Sequence, residues 1–201
     1  MAKTSKGYCL SLTGASTRCS ETIAAARAYV DCHDWDEVSR LIVDENLFGL
    51  NSDSNRKRIR NEIMKRLKTL SDEEIAFLSN ALDHDQFAML WVALCRTYPI
   101  VRSVATELLV SRFDRMLPDL PRGAYKAFIE EEKYEHRELA DLTEKSLDKV
   151  EIRVFGMLRD CRLLDDSYRI TPLFPSERFA SLVAATHPED LSLFPKVGVL
   201  A

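Results

Sequence analysis

The sequence predicts a mainly α-helical protein, and two observations lead to this fold class. The chain of 201 residues has six glycines and seven prolines, fewer turn residues than an all-β protein of this size needs. Helix-start signals and apolar residues at helical spacing also recur along most of its length. Hydrophobic residues make up 46% of the chain and charged residues 30%, a balance typical of a globular fold and not of disorder.

The first part of the chain, residues 1–117, is predicted to be a helical bundle. After the Gly- and Ser-containing segment Ser11–Ser16, the alanine-rich residues 21–30 favour a first helix. Asp34 is a suitable N-cap for a second, amphipathic helix, and Gly49 suits the turn that follows it. A third helix is expected to begin near residues 52–54 and to end near Leu70.

Three more helices are predicted before the first part ends. Ser71–Glu74 has the sequence of a capping box, so a helix is expected to begin there. Two long helices follow, over residues 85–97 and 99–116, with a proline that the first turn of the second helix tolerates. The Leu-Pro-Asp-Leu-Pro run at 117–121 interrupts the helical pattern, which predicts a domain boundary there.

The second part, residues 118–201, is predicted to be winged-helix-like. A short helix over 122–132 and a long helix over 143–163 precede two β-prone stretches in 164–174, which predict one short β-hairpin. A last helix is expected over 176–185. This order is that of a winged helix-turn-helix, although many α-rich domains also carry a single hairpin.

The strongest local feature is the predicted third helix, which is strongly basic. Between Asn55 and Lys68 it has seven basic residues and one acidic residue, whereas the whole chain has a net charge of −4. Helical spacing places its apolar residues on one side, so most of its cations should point into solvent. A row of cations on a rigid helix neutralises phosphates and releases counterions. The candidate nucleic-acid-binding residues on this helix are Arg56, Lys57, Arg58, Arg60, Asn61, Lys65 and Lys68.

Two other interpretations of this basic helix remain open. Its cations would also suit a solvated helix face that pairs with acids elsewhere on an acidic protein. They would equally suit the surface that binds a partner protein. The sequence alone does not choose between these and nucleic acid.

A second candidate surface lies on the predicted long helix of the C-terminal part. Lys145, Lys149 and Arg153 follow i, i+4, i+8 spacing on the side opposite the apolar stripe, as in a recognition helix. Arg169, in the predicted hairpin, would reach a neighbouring phosphate. Acidic residues are interleaved with these cations, however, and i, i+4 ion pairs would neutralise some of them.

The sequence offers no catalytic residue, metal ligand set or cofactor motif. The four histidines are scattered without metal-pair spacing, and neither a Cys-x-x-Cys motif nor a glycine-rich phosphate loop occurs. The most apolar run, Phe87–Cys95, is about half as long as a membrane span. We therefore expect a cytoplasmic binding protein and not an enzyme or a membrane protein.

Short sequence pieces spread from Tyr8 to Pro195 resemble the BrxA family of bacteriophage-exclusion (BREX) defence systems. Most of these pieces consist of core or helix-cap residues, so their order and spacing together carry the resemblance. They are Ser11–Gly14, Asp34-Trp35, Glu45–Leu47, Arg58-Ile59, Glu62-Ile63, Arg66-Leu67, Leu90-Trp91, Cys95-Arg96, Tyr98, Met157–Arg159, Leu163-Leu164, Asp190-Leu191 and Phe194-Pro195.

The resemblance implies a cytoplasmic, non-enzymatic, mainly helical component of a type I BREX system. It also implies an N-terminal part similar to the RNA-binding factor NusB, and DNA binding. The leading hypothesis is therefore an accessory protein that binds double-stranded DNA with little sequence preference, because phosphate contacts do not discriminate sequence. The alternatives are an adaptor that binds other BREX proteins, and an RNA binder of the NusB kind.

Overall fold

The protein was analysed as a computed structural model that describes residues 16–195. It is mainly helical, which confirms the predicted fold class. The Ser11–Gly14 piece and most of the segment predicted to precede the first helix lie outside the described residues. No described helix is both long enough and apolar enough to cross a membrane.

The N-terminal half follows the predicted order of helices, with small shifts of their ends. The capping box at Ser71 is present: its side chain accepts a hydrogen bond from the Glu74 N–H, and the Glu74 carboxylate accepts one from the Ser71 N–H. The helix after it begins at Asp83, two residues earlier than expected. The bounds are α1 Cys19–Cys32, α2 Trp35–Val43, α3 Asp53–Leu67, α4 Asp72–Asn80 and α5 Asp83–Thr97.

The helix predicted over 99–116 is divided by a wider helical segment. Residues Val104–Val110 form a π-helix between α6 (Pro99–Ser103) and α7 (Ser111–Asp114). Apolar side chains of this segment are buried, Leu109 among them. Spacing arguments at 3.6 residues per turn do not reveal such a segment, because its i→i+5 bonding has no signature of its own.

The C-terminal half has the predicted helices together with short elements that were not predicted. A four-residue helix, α9, and a 3₁₀ helix near the chain end are additions to the expected pattern. The bounds are α8 Arg122–Glu135, α9 Arg137–Ala140, α10 Glu144–Asp160, α11 Glu177–Thr186 and the 3₁₀ helix Pro188–Leu193.

The structure does not confirm the predicted β-hairpin or a winged-helix arrangement. Within residues 16–195, β pairing is limited to two isolated bridges, Leu164 with Ile170 and Asp119 with Arg169. The Asp165 side chain closes a turn by accepting hydrogen bonds from two backbone N–H groups. Beyond that turn, residues 168–170 bond to the segment 118–120, so two short contacts replace one continuous ladder.

The final helical residues pack against the N-terminal helices and not only against their neighbours in sequence. The Ser176 N–H and hydroxyl both donate to Asp85 at the start of α5, at 2.9 and 2.7 Å. Trp91 Nε1 donates to the Leu193 carbonyl. The predicted division into residues 1–117 and 118–201 therefore stays a prediction, with residues 176–195 in contact with the first part.

A buried ion-pair network joins these two regions, with Arg96 at its centre. The Arg96 guanidinium donates to both carboxylate oxygens of Glu74 at 2.7 Å and to Asp190 Oδ2 at 2.7 Å. Arg102 also pairs with Asp190. The side chains of Glu74 and Asp190 are 0% and 1% exposed. Two pieces of the family resemblance, at Arg96 and Asp190, thus hold the fold together.

Candidate nucleic-acid interface

The outer face of α3 is exposed, as its helical spacing predicts. The Ser52 side chain caps the helix by accepting a hydrogen bond from the Asn55 N–H. Ile59, Ile63 and Leu67 are buried, and this burial fixes the rotation of the helix about its axis. The residues on the opposite side, which we call the outer face of α3, are Lys57, Arg58, Asn61, Lys65 and Lys68, and all five are exposed.

The cations of this outer face make surface contacts. Lys57 Nζ lies 2.7 Å from Asp53 Oδ2, and Arg58 Nη2 donates to Asn55 Oδ1 at 2.9 Å. The Lys65 ammonium lies 4.8 Å from the centroid of the Tyr98 ring. Exposed pairs of this kind contribute about 0–1 kcal/mol each, because water screens them and the side chains lose freedom. A phosphate would therefore replace or share such partners at little cost.

The Lys68 ammonium, at the C-terminal end of the face, lies 5.5 Å from the centroid of the Trp35 ring. Contacts between a cation and an aromatic ring at an exposed site are worth about 0.5–1 kcal/mol. They also leave the other side of the ammonium open to solvent. At one end of the face Lys57 lies beside an acid, and at the other end Lys68 lies over an aromatic ring; neither cation is buried.

Two of the candidate nucleic-acid-binding residues predicted on this helix, Arg56 and Arg60, lie beside the outer face and are half-buried. Arg56 Nη2 is 3.6 Å from Asp53 Oδ1, and Arg60 Nη1 donates to the Ser39 hydroxyl at 2.6 Å. Both are therefore turned toward protein partners at the edge of the face. Their role in binding stays a prediction, and we expect them to contribute less to binding than the exposed residues do.

Arg66 is the basic residue of α3 that departs most from the expectation that the cations of this helix point into solvent. Its side chain is 2% exposed, and Nη1 donates to the carbonyls of Ser16 and Thr17 at 3.0 and 2.8 Å. Arg66 thus anchors the segment before α1 and does not contribute to the outer face. The partners are about 50 residues away in sequence, so spacing within α3 gives no sign of them.

The cations of α10 face solvent as predicted, with Lys145 and Lys149 exposed and Arg153 half-buried. None of the three forms an ion pair with another residue of the described range 16–195, so the expected neutralisation by i, i+4 acids is not seen there. Glu151, one of those acids, is buried and lies 3.4 Å from Arg122 instead.

Arg169 is exposed, and two arginines that were not predicted as site residues contact its neighbour Tyr168. Arg122 Nε donates to the Tyr168 hydroxyl at 3.1 Å, and the Arg159 guanidinium lies 5.1 Å from the Tyr168 ring centroid. The hydrogen bond from Arg122, with smaller contributions from Arg159, holds the pKa of Tyr168 below its ordinary value. No local signal predicts this cluster, because Arg122 and Tyr168 are 46 residues apart.

The described residues do not bring together an arrangement for metal binding. No group of three or more His, Cys, Asp or Glu side chains within residues 16–195 is placed to hold a metal ion. The absence of catalytic residues and cofactors remains a prediction from the sequence.

Taken together, these features define a mainly helical protein with two outward-facing cationic helix surfaces, on α3 and on α10. The sequence profile of the BrxA family matches residues 6–187. The chain therefore belongs to the BrxA family, which indicates a component of BREX phage defence.

Comparison with solved structures shows a similar fold in an uncharacterized protein from Magnetospirillum magneticum. Its crystal structure is similar to this chain with a TM-score of 0.78 and 16% sequence identity, over 96% of this chain and 100% of that one. At this identity the likeness shows the fold alone. No curated protein sequence matches the chain.

Proposed function

We propose that this BrxA-family protein is a non-enzymatic, cytoplasmic component of a type I BREX system and binds double-stranded DNA through the outer face of α3. The observation that carries the proposal is the row of exposed polar side chains on one rigid helix of a net-negative protein. Four of its five members are cations, and all five side chains are exposed.

The length of this row suits a nucleic-acid backbone. Lys57 and Lys68 are 11 residues apart, about 16 Å along a helix that rises 1.5 Å per residue. That length corresponds to roughly five base pairs of duplex at 3.4 Å per step. Four phosphate contacts would then give a log–log slope of affinity against salt of about −3.6. Phosphate contacts do not read bases, so we expect weak sequence preference.

The cations on α10, together with Arg169 and Arg122, form a second contact surface in this proposal. Lys145, Lys149 and Arg153 make no ion pair with other described residues, so nothing in residues 16–195 neutralises them directly. We expect this surface to add affinity and to leave the salt dependence dominated by α3. Other BREX proteins remain proposed partners, through surfaces that do not overlap the outer face of α3.

The experiment is a fluorescence anisotropy titration of a labelled duplex at a series of salt concentrations. The variant combines Lys57→Glu, Arg58→Glu and Lys65→Glu. We expect its affinity to fall at least about tenfold and its salt slope to flatten by about 3, one unit for each lost phosphate contact.

A matched control separates this effect from a general change of charge. Arg115→Glu, Arg137→Glu and Arg178→Glu reverse three other exposed cations and change the net charge by the same amount. The control should bind like the unmodified protein. Equal losses in both variants, or none in either, would remove α3 as the contact surface.

Unlabelled competitors decide between the nucleic-acid classes. A duplex DNA that displaces the probe far better than a structured RNA of equal length supports the proposal. Preferential displacement by the RNA would contradict it and favour the NusB-like alternative. Absence of binding to both, with other BREX proteins retained after nuclease treatment, would favour the adaptor alternative.

A further inference from the structure

A groove of about 340 Å³ lies between α8 and α10. Its walls include the apolar side chains of Ile129 and Leu147, and its buried end includes Tyr125 and Glu151. Asp148 is an exposed residue at its rim. The helices are joined beneath the groove by an edge-to-face contact between Tyr125 and Phe155, with ring centroids 5.5 Å apart.

Two buried polar atoms in this groove lack hydrogen bonds. Tyr125 is 3% exposed, and its hydroxyl has no hydrogen-bond partner among the described residues. Glu151 is also 3% exposed, and its Oε1 accepts no hydrogen bond there; the Arg122 Nε atom, 3.4 Å away, is a charged neighbour. A buried polar group without a hydrogen bond loses the hydration it has in the unfolded chain and destabilises the fold. Because both atoms line the same groove, one ligand would satisfy them together.

The charge of the groove selects the sign of that ligand. Four carboxylates line it, from Glu130, Glu144, Asp148 and Glu151, against two lysines. One of these lysines, Lys133, is already 2.6 Å from Glu130. Burial and the nearby Glu151 charge raise the pKa of Tyr125, so the phenol stays protonated and neutral. A cationic group is favoured there, and a phosphate is repelled.

The shape and rim of the groove favour a side chain over a metal ion or a free amine. No described carboxylate cluster is arranged to hold a metal. The apolar walls suit the methylene stem of a long side chain that ends in a charge. Each of the two helices also has an exposed apolar or aromatic residue, Tyr134 on α8 at 92% and Ile152 on α10 at 57% exposure. Exposed residues of this kind on the helices that form a charge-selective groove are typical of a protein–protein interface.

We propose that this groove receives an arginine or lysine side chain of a partner protein. The incoming cation donates hydrogen bonds to Glu151 Oε1 and to the Tyr125 hydroxyl, while its stem packs between Ile129 and Leu147. This site has the opposite charge from the outer face of α3 and does not use that helix; it borders the second contact surface at Arg122, which lies 3.4 Å from Glu151. The protein would then hold a basic partner and an acidic duplex on separate surfaces.

The test is an NMR titration of the isotope-labelled full chain with three probes. The first is a short alanine peptide with one central arginine flanked by leucine, the second replaces the arginine with neutral citrulline, and the third is 1,5-diaminopentane. We expect the arginine peptide to shift the backbone amide signals around Tyr125, Ile129 and Leu147, and the citrulline peptide to leave them unchanged.

Two variants test the assigned atoms. Tyr125→Phe and Glu151→Gln should each weaken the arginine peptide about tenfold, the loss expected for one hydrogen bond to a charged group. Tyr125→Phe removes a hydroxyl without a partner, so the variant should fold normally. Glu131→Gln, an exposed acid of α8 outside the groove, is the matched control and should bind like the unmodified chain.

Three results would overturn the proposal: no shifts at the groove with the arginine peptide, unchanged binding in both variants, or equal or tighter binding of the diamine. The last result would assign the groove to a small free cation. Tyr125→Phe changes no charge and should leave duplex DNA affinity unaltered, so the failure of this proposal and the failure of the proposed function can be told apart with that variant.

Discussion

Arginine occupies two contrasting environments in this protein, inside the network around Arg96 and on the outer face of α3. Inside, the Arg96 guanidinium bonds to two buried carboxylates and to the Thr69 carbonyl. Outside, Arg58 is exposed and bonds to the amide of Asn55 on its own helix. The first arginine is surrounded by fixed, desolvated partners, whereas the second lies beside a flexible and hydrated one.

The difference shows why the count of cations in a sequence overstates a binding surface. A buried cation held by several hydrogen bonds stabilises the fold and is closed to ligands. An exposed cation adds little stability and remains open to phosphate. Arg66 belongs to the first group although it lies on α3, since two backbone carbonyls bind it.

The largest expected effect follows from breaking the buried network. Arg96→Met leaves the buried carboxylates of Glu74 and Asp190 without their shared cation. The loss of one partner from a buried ion pair costs about 3–5 kcal/mol, because the remaining charge stays desolvated. Urea unfolding followed by circular dichroism measures this free energy.

The matched variant on the other side of the comparison is Arg58→Met. It removes an exposed guanidinium of the same size, so the free energy of unfolding should stay within about 0.5 kcal/mol. Similar losses in the two variants would contradict the distinction between a structural inner cation and an exposed outer one.

The next effect is a dependence of stability on pH. Burial opposes the ionisation of Glu74, but hydrogen bonds from Arg96 and from the Ser71 N–H outweigh it and lower its pKa below the ordinary 4.5. The folded state therefore favours the ionised form. The contribution of this ionised carboxylate to stability is present above about pH 4.5, the pKa in the unfolded chain. It is lost as the pH falls through the lowered pKa of Glu74 in the folded protein.

Thermal unfolding between pH 7 and pH 3, with Glu74→Gln as comparison, measures the contribution of this group. The variant should be less stable at pH 7, because it lacks the charge, and its stability should fall less steeply in acid. Parallel curves for the two proteins would show that Glu74 is not a source of the acid sensitivity.

The smallest effect concerns a single cation of the second surface. Arg169→Ala removes one proposed phosphate contact and should flatten the salt slope of duplex binding by about 1, with a modest loss of affinity. Tyr168→Phe on the neighbouring residue removes a hydroxyl without changing charge and should leave the slope unaltered. An unchanged slope in Arg169→Ala would restrict the interface to helix faces.

The sequence predicted those features that depend on local spacing. The apolar stripe of α3 fixed which side of that helix is buried, so the exposure of Lys57, Arg58, Asn61, Lys65 and Lys68 followed from a 3.6-residue period. The capping box at Ser71 was equally local. Both signals lie within a few residues, where propensity and hydrogen bonding act directly.

Features that depend on distant partners were not predicted. The burial of Arg66 needs the carbonyls near residue 17, and the cation cluster at Tyr168 needs Arg122 from another helix. The predicted hairpin is not confirmed either: the pairing of residues 163–165 with 169–171 is limited to one isolated bridge, and residues 168–170 also bond to the distant segment 118–120. Pairing between remote segments is decided by tertiary packing, which a single sequence does not display.

The most direct test of the account is lysine footprinting of the protein in its complex with duplex DNA. Acetylation of exposed lysines, read by mass spectrometry with and without the duplex, reports each ammonium separately. We predict protection of Lys57, Lys65 and Lys68, weaker protection of Lys145 and Lys149, and an unchanged rate at Lys126, which is exposed on α8. Unchanged acetylation of the three α3 lysines at saturating duplex would contradict the claim that the outer face of α3 contacts DNA.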